Sequence, residues 1–131
     1  MWVRLIAWVL ARTFPSSGQL EGLDRRDTRP FLRALLAEAP ATLRWALHGS
    51  ILLFVISPLL TVFVPLPAPL LPRLWVDRHA LRMASHPSYL LRQAMLMIKT
   101  IGGLVWGADA GVRLSLGLPA YPPDPGTRRE E

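Results

Sequence analysis

The sequence predicts an all-α fold, a small irregular domain of about four to six helices. Three observations support this fold class. Residues 45–72 carry no charge and include an apolar stretch of helical length. Residues 89–107 place apolar side chains at the i, i+3, i+4 spacing of one helix face. Prolines and glycines stand where helices begin or end, which is where their backbone chemistry is tolerated best.

The longest predicted helix occupies the first part of the uncharged run. It begins near Pro40 or Ala41, because a proline in the first turn removes no helical hydrogen bond, and it ends before Pro65. This gives one apolar helix of about 24 residues with a kink near Pro58. The prolines at positions 65, 67, 69 and 72 then predict an extended apolar segment, residues 65–72, which we call the strap.

Two arrangements are compatible with this run. Its most apolar part, residues 46–64, is about 19 residues long, which is near the minimum for a membrane span. Arginines flank the run on both sides, so the positive-inside rule gives no orientation. His48 and Pro58 weaken the case for a span, and we favour a helix that lies in a membrane interface or packs against a partner. The residues expected to form that interface are Ile51, Leu52, Phe54, Val55 and Phe63.

Residues 1–14 predict a separate amphipathic helix that is too short to cross a bilayer. No basic segment precedes its apolar part and no small-residue cleavage site follows it, so we do not expect a secretory signal. The preferred hypothesis places this helix on a bilayer surface or in a partner groove; the alternative is an ordinary core helix. The residues assigned to the interface are Trp2, Leu5, Ile6 and Val9.

The rest of the chain divides into three parts. Residues 15–27 are polar and predict a linker. Residues 28–119 predict the helical domain. Residues 120–131 are rich in proline and charge and predict an extended or disordered tail.

Two short helices are expected, one before the long helix in the chain and one after the strap. Asp27 or Thr28 can cap the first, which holds Pro30 in its first turn and ends at Ala39. The second follows the strap, within residues 73–86. The side chains expected to turn inward from it are Leu74, Trp75, Leu81 and Met83, and those expected to turn outward are Asp77, Arg78 and Arg82.

The best-formed helix follows, with Pro87 in its first turn. Its inward stripe consists of Leu91, Ala94, Met95, Ile98, Ile101 and Val105, and Leu90, Met97 and Leu104 widen it. The pair Gly102 and Gly103 is either a point of close approach or a weak point in the helix. Asp109 is expected to cap a last helix, residues 110–116, which Gly117 closes.

Composition limits the classes of function. The chain has 131 residues, enough for one domain, and 51% of them are hydrophobic, which is more than such a domain normally needs. The net charge of +6 comes from 14 arginines and a single lysine. Excess arginine beside apolar helices suits anionic lipid or an acidic protein. Nucleic acid is disfavoured, since the arginines are spread singly and not gathered with aromatic residues.

No constellation of catalytic or metal-binding residues is visible in the sequence. The absence of cysteine excludes disulfides, thiolate metal sites and iron–sulfur clusters. His48, His79 and His86 lack the spacing of metal ligands, and no nucleophile elbow, phosphate loop or dinucleotide fingerprint appears. We therefore expect a chain that is not an enzyme and that carries no cofactor and no metal.

Residues 31–122 resemble a known family of helical small subunits. Arg92, the pair Ile98 and Lys99, Trp106, Arg113 and the turn 117–119 (Gly-Leu-Pro) stand where that family has a basic residue, an Ile-Lys step, an aromatic helix end and a Gly-hydrophobic-Pro turn. The chain is similar to subunit 3 of gluconate 2-dehydrogenase-type enzymes and to the helical segment before the flavin domain of long-chain alcohol oxidases. The resemblance implies a separate flavoprotein partner of the glucose-methanol-choline oxidoreductase class, which would hold the FAD. It also implies that Arg92, Lys99 and Arg113 face that partner.

Three hypotheses of function follow. The first is a non-catalytic small subunit that binds and stabilises a flavin-dependent alcohol oxidoreductase and associates it with a membrane, expected to be the bacterial cytoplasmic membrane on a side that the sequence leaves open. The second is a small single-pass membrane protein that serves as a structural or assembly subunit of an unrelated complex, with residues 46–64 as the span. The third, which we favour least, is a standalone enzyme that uses His79.

Overall fold

The structure, a computed structural model, describes residues 2–17, 22–25 and 27–119 of the chain. The predicted tail at 120–131 lies outside these residues. Seven α-helices form within the described part, so the predicted all-α fold is confirmed with more helices than expected. They are α1 (Trp2–Thr13), α2 (Arg29–Glu38), α3 (Ala41–Ile56), α4 (Pro58–Thr61), α5 (Arg73–Ala84), α6 (Tyr89–Ala108) and α7 (Ala110–Ser115). Short 3-10 turns occupy Leu23–Arg25 and Ala68–Leu70.

The core forms where α3 packs along α6. Every member of the inward stripe predicted for α6 is buried, from Leu91 to Val105, which confirms the helical period. Of the row expected to widen this stripe, Leu90 and Leu104 are exposed, and Met97 is partly buried against the core. Gly102 is a point of close approach: a Cβ there would collide with the Phe14 ring, whereas at Gly103 it would meet open space.

Helix α1 belongs to this same core and is not a separate unit. It contacts α2, α3, α5 and α6. Ile6, Val9 and Leu10 are fully buried against these neighbours. The alternative hypothesis of a core helix is therefore correct for this face, and the prediction that Ile6 and Val9 face a membrane or partner is wrong. An amphipathic pattern shows that one face is buried, but not whether the cover is lipid or the protein's own chain.

The predicted long apolar helix is divided in two. Helix α3 ends at Ile56, where the Ser57 N–H still donates to the Leu53 carbonyl at 3.0 Å. Pro58 then begins α4, which ends at Thr61. Proline has no N–H to donate to the carbonyl four residues earlier, and its ring crowds that carbonyl. The sequence predicted a kink at this proline, and the structure has a full break. Among the helices of the described residues, none combines the length and apolar character required to cross a membrane.

The predicted linker 15–27 is folded where the structure describes it. The Leu23 N–H donates to the Phe14 carbonyl at 2.8 Å, and Leu23 is buried in the core. The Asp24 carboxylate accepts from the Ser16 N–H at 3.0 Å and from its hydroxyl at 2.6 Å, while the Ser16 hydroxyl oxygen accepts from the Gly22 N–H at 2.8 Å. These bonds hold residues 22–24 against residues 14–16, directly after the end of α1.

The contact between residues 22–24 and residues 14–16 requires glycine at position 22. A Cβ at Gly22 would collide with the backbone of residues 14–16, reaching 2.6 Å from the Ser16 nitrogen. We expect Gly22→Ala to lower the free energy of unfolding by about 1–3 kcal/mol, because backbone atoms cannot yield as a side chain can. Chemical denaturation measures this. The matched control is Gly49→Ala on α3, where a Cβ meets nothing and alanine should stabilise the helix by about 0.5–1 kcal/mol. Equal effects of the two variants would contradict the packing described here.

The cap predicted for the last helix is confirmed. The Asp109 carboxylate accepts from the Val112 N–H at 3.0 Å. Gly117 adopts a left-handed conformation with φ +71°, and the Leu118 N–H donates to the Arg113 carbonyl at 2.8 Å, as in a Schellman motif. At α2, the Asp27 carboxylate accepts from the backbone and guanidinium N–H groups of Arg29, whose hydrogen bonds lower the pKa of Asp27 to about 2.

Helix α5 presents a different face from the one predicted. The buried residues are Val76, His79 and Met83, whereas Leu74 and Leu81 are exposed. The inward orientation predicted for these two leucines is therefore wrong. Met83 is buried as predicted, whereas Trp75 is 36% exposed. The burial of His79 has a specific cause, which lies in the break between α3 and α4.

Candidate interaction surface

One face of α3 is apolar and uncovered. Trp45, Gly49, Leu52 and Ile56 recur at the spacing of one helix face, and all four are exposed, Trp45 to 78%. The opposite face, which includes Leu47 and Ile51, is buried against the core. A helix that is apolar on all sides normally has a cover on all sides. We call the exposed residues the α3 outer face.

Grooves lie at both ends of the α3 outer face. Near its N-terminal end, Trp2 of α1 meets the His48 ring edge-on at 4.8 Å. These two residues, with Arg44 and Trp45, line a groove of about 420 Å³. Near its C-terminal end, a groove of about 290 Å³ lies between the end of α3, α4 and the strap. Its lining residues are Ile56, Leu59, Pro65, Leu66 and Pro67.

The apolar surface continues over α4 to Phe63. We call residues 58–63 the α4 tip. Leu59 and Leu60 are more than half exposed, and Phe63 is 78% exposed. Phe63 also has φ 59°, which places a bulky side chain in the left-handed region. That conformation is costly for any residue with a Cβ. Within the tip, Thr61 and Val62 are buried.

A set of buried hydrogen bonds, the His79 clamp, fastens the tip to α5. Its members are His79, the Phe54 carbonyl, Thr61 and Arg82. Phe54 is the residue whose carbonyl Pro58 leaves without its helical donor, four positions earlier. His79 Nε2 lies 2.7 Å from that carbonyl oxygen. Pro58 thus leaves the Phe54 carbonyl without a hydrogen-bond donor, and the buried His79 on α5 supplies one.

The partners of His79 define its tautomer. A carbonyl can only accept, so we assign the proton to Nε2. Nδ1 then accepts from the Thr61 hydroxyl at 2.5 Å. Arg82 Nη1 donates to the Thr61 carbonyl at 2.8 Å. Burial lowers the pKa of His79 below its ordinary value of 6.5, and the bond to Phe54 opposes this shift only in part. The clamp therefore contains a neutral imidazole.

The predicted interface residues fall into three groups. Ile51 and Phe54, like Ile6 and Val9, are fully buried. The prediction that these residues face a membrane or partner is wrong, because α3, α1 and α6 bury them together. Leu5 and Val55 are half-buried. The exposed members are Trp2, Leu52 and Phe63.

Sequence reasoning missed several residues of this surface. Trp45, Ile56, Leu59, Leu60 and Leu66 are all exposed. A signal for the first two was present, since they continue the helical row that contains Leu52. No local pattern could have identified the leucines of α4, because their exposure depends on the break at Pro58.

Two of the three predicted partner-facing basic residues serve the protein's own turns. Arg92 Nη1 donates to the carbonyls of His86 and Pro87 at 2.7 and 2.8 Å. Arg113 Nε donates to the Pro119 carbonyl at 2.7 Å. Both are half-buried, and their contact with a partner stays a prediction. Lys99 is exposed and lines a groove of about 230 Å³ with Arg12 and Asp77.

The histidines are engaged by neighbouring backbone or buried groups. His48 Nδ1 lies 2.6 Å from the Arg44 carbonyl oxygen, and His86 Nδ1 accepts from the Ser88 N–H at 3.0 Å. Both ring nitrogens of His79 are held in the clamp. Within the described ranges, no three side chains of metal-binding type come together. The other prominent feature of the described residues is the exposed apolar surface.

That surface is continuous with the strap and with α1. Pro69 of the strap and Trp8 of α1 border a groove of about 510 Å³ that also contains Leu5 and Arg4. The exposed apolar area thus extends from α1 along α3 to the α4 tip. Comparison of the chain with protein-family models, curated proteins and solved structures finds no match.

Proposed function

We propose that this protein is a non-catalytic small subunit that binds a flavin-dependent alcohol oxidoreductase and associates it with a membrane. The observation that carries the proposal is the exposed apolar surface of the α3 outer face, the α4 tip and the strap. Residues 45–72 carry no charge, and seven large side chains among residues 52–70 are more than two-fifths exposed. These are Leu52, Ile56, Leu59, Leu60, Phe63, Leu66 and Leu70.

Such a surface supports association and not a free monomer. Soluble monomers seldom expose contiguous apolar patches beyond a few hundred Å², and larger ones mark protein or membrane contacts. The core beneath is already complete, so folding alone does not need these side chains. The net charge of +6 adds attraction to anionic lipid.

The arrangement of α3 and α6 supports two attachments at once. These helices pack against each other through their buried faces, so their exposed faces point in different directions. Helix α6 displays Leu90, Leu96 and Leu104 with an open position at Gly103. We assign this second surface to the protein partner and the α3 side to the membrane. The identity of the partner as a flavoprotein that holds FAD rests on the resemblance described above.

The substrate class follows from the same proposal. A subunit held against a bilayer would place its oxidoreductase where apolar alcohols or sterols are dissolved. The apolar grooves beside the strap would then form part of the route from the membrane. The redox chemistry would belong to the flavin of the partner chain.

Co-purification tests this function. The tagged full chain is isolated from its native cells in mild detergent, and the visible spectrum and the protein composition of the complex are recorded. We expect a large flavoprotein with bound flavin. Leu96→Glu on α6 should remove the flavoprotein, because it buries a charge in the proposed contact, and Leu52→Glu on α3 should retain it. A colourless complex from the unaltered chain would contradict the proposed partner.

A further inference from the structure

We propose that the α4 tip is the part of this protein that enters the membrane, with Phe63 inserted among the lipids of an anionic bilayer. This inference rests on the membrane association proposed above and assigns it to one site. The N-terminal helix, which the sequence analysis favoured for this role, contributes Ile6, Val9 and Leu10 to the core instead.

The conformation of Phe63 is the first argument. Its φ of 59° is a position that glycine or asparagine occupies at much lower cost. Its side chain is 78% exposed, so contacts within the chain offset little of the conformational cost. A large aromatic side chain held in a strained, exposed position gains its full burial only from a contact outside the chain.

The rigidity of the support is the second argument. Thr61 and Val62, directly before Phe63, are only 3% and 5% exposed. The Val62 N–H donates to the Pro58 carbonyl at 2.9 Å, and the clamp holds Thr61 through both its hydroxyl and its carbonyl. The tip is thus presented in one arrangement before it meets a ligand, which lowers the entropy lost on binding.

The charges around the tip identify its ligand. Arg82 is exposed, and its guanidinium is fixed at the Thr61 carbonyl, two residues from Phe63. Arg78, one turn earlier on α5, is also exposed, as is Arg73 at the start of that helix. Between Glu38 and Asp109 the sequence has a single acidic residue, Asp77. An uncharged apolar tip beside one fixed arginine, with further exposed arginines on the same helix, is complementary to acyl chains below anionic head groups.

Vesicle sedimentation of the full chain tests this assignment. The probes are vesicles of phosphatidylcholine alone and vesicles that also contain phosphatidylglycerol. We expect the unaltered chain to prefer the anionic vesicles. Phe63→Gly and Phe63→Asn should each weaken that binding roughly tenfold or more, because the buried aromatic surface is lost. The thermal midpoint of both variants should be equal to or above that of the unaltered chain, because the strain is relieved.

The matched control is Leu114→Ala on α7, since Leu114 is also 78% exposed. It should bind vesicles as the unaltered chain does. If both Phe63 variants and Leu114→Ala bind vesicles as well as the unaltered chain does, the tip is not the inserted site and the membrane association stands. Loss of flavoprotein co-purification in Phe63→Gly, with vesicle binding kept, would show that the tip contacts the protein partner. Failure of the unaltered chain to bind either vesicle would overturn both this inference and the membrane part of the proposed function.

Discussion

Replacing Phe54 by alanine is expected to lower the free energy of unfolding by about 3–5 kcal/mol. Phe54 is fully buried, with its ring centroid 4.7 Å from that of His79 and 6.5 Å from that of Trp8. Truncation leaves a cavity at the junction of α1, α3 and α5 that these neighbours cannot fill. Chemical denaturation followed by circular dichroism measures the change.

Phe63→Ala is the control for this experiment. The residue type and the substitution are the same, and both positions lie in the uncharged run, but Phe63 is exposed. We expect little change in stability from Phe63→Ala and a large loss from Phe54→Ala. If Phe54→Ala left stability unchanged, the α3 face that carries Phe54 would belong to an interface and not to the core.

The second large effect is expected at His79. His79→Leu removes the donor to the Phe54 carbonyl and the acceptor for the Thr61 hydroxyl, both of which are buried. Unpaired buried polar groups are costly, so we expect a loss of about 2–4 kcal/mol in the free energy of unfolding. The α4 tip should loosen with it, since the clamp fastens the tip to α5.

Pro58→Ala provides a test that is specific to the clamp. Alanine at position 58 restores the N–H that the Phe54 carbonyl lacks in this sequence. We therefore expect His79→Leu to cost less in the Pro58→Ala background than in the unaltered chain. A double-mutant cycle measures the difference. Strictly additive effects would show that His79 does not act on the carbonyl released by Pro58.

The pH dependence of stability should report the same histidine. The pKa of His79 is lowered in the folded state, so below pH 6.5 the unfolded chain takes up a proton that the folded chain resists. The contribution of His79 to the free energy of unfolding is therefore fully present above pH 6.5, and it decreases as the pH falls toward the folded-state pKa. Denaturation curves measured between about pH 7.5 and about pH 5, a range that brackets the ordinary histidine pKa, should show the decrease in the unaltered chain. The His79→Leu variant should show less of it.

Local signals were sufficient to predict α6 and α7. The stripe from Leu91 to Val105 follows a helical period over about four turns, and such a period predicts a helix whatever packs on it. Asp109 and Gly117 act through hydrogen bonds and backbone angles within their own helix ends. Hydrogen bonds and backbone angles that involve only a few neighbouring residues can be predicted from the local sequence alone.

Only the tertiary structure decided which apolar surfaces became core. Helix α3 is apolar around its whole circumference, so no pattern within it could separate Phe54, which is buried, from Leu52, which is exposed. The burial of His79 depended on a carbonyl released 25 positions away along the chain. Hydrophobic burial has no direction of its own. The partner that covers a given side chain is set by how the helices meet, and that information is distributed over the whole sequence.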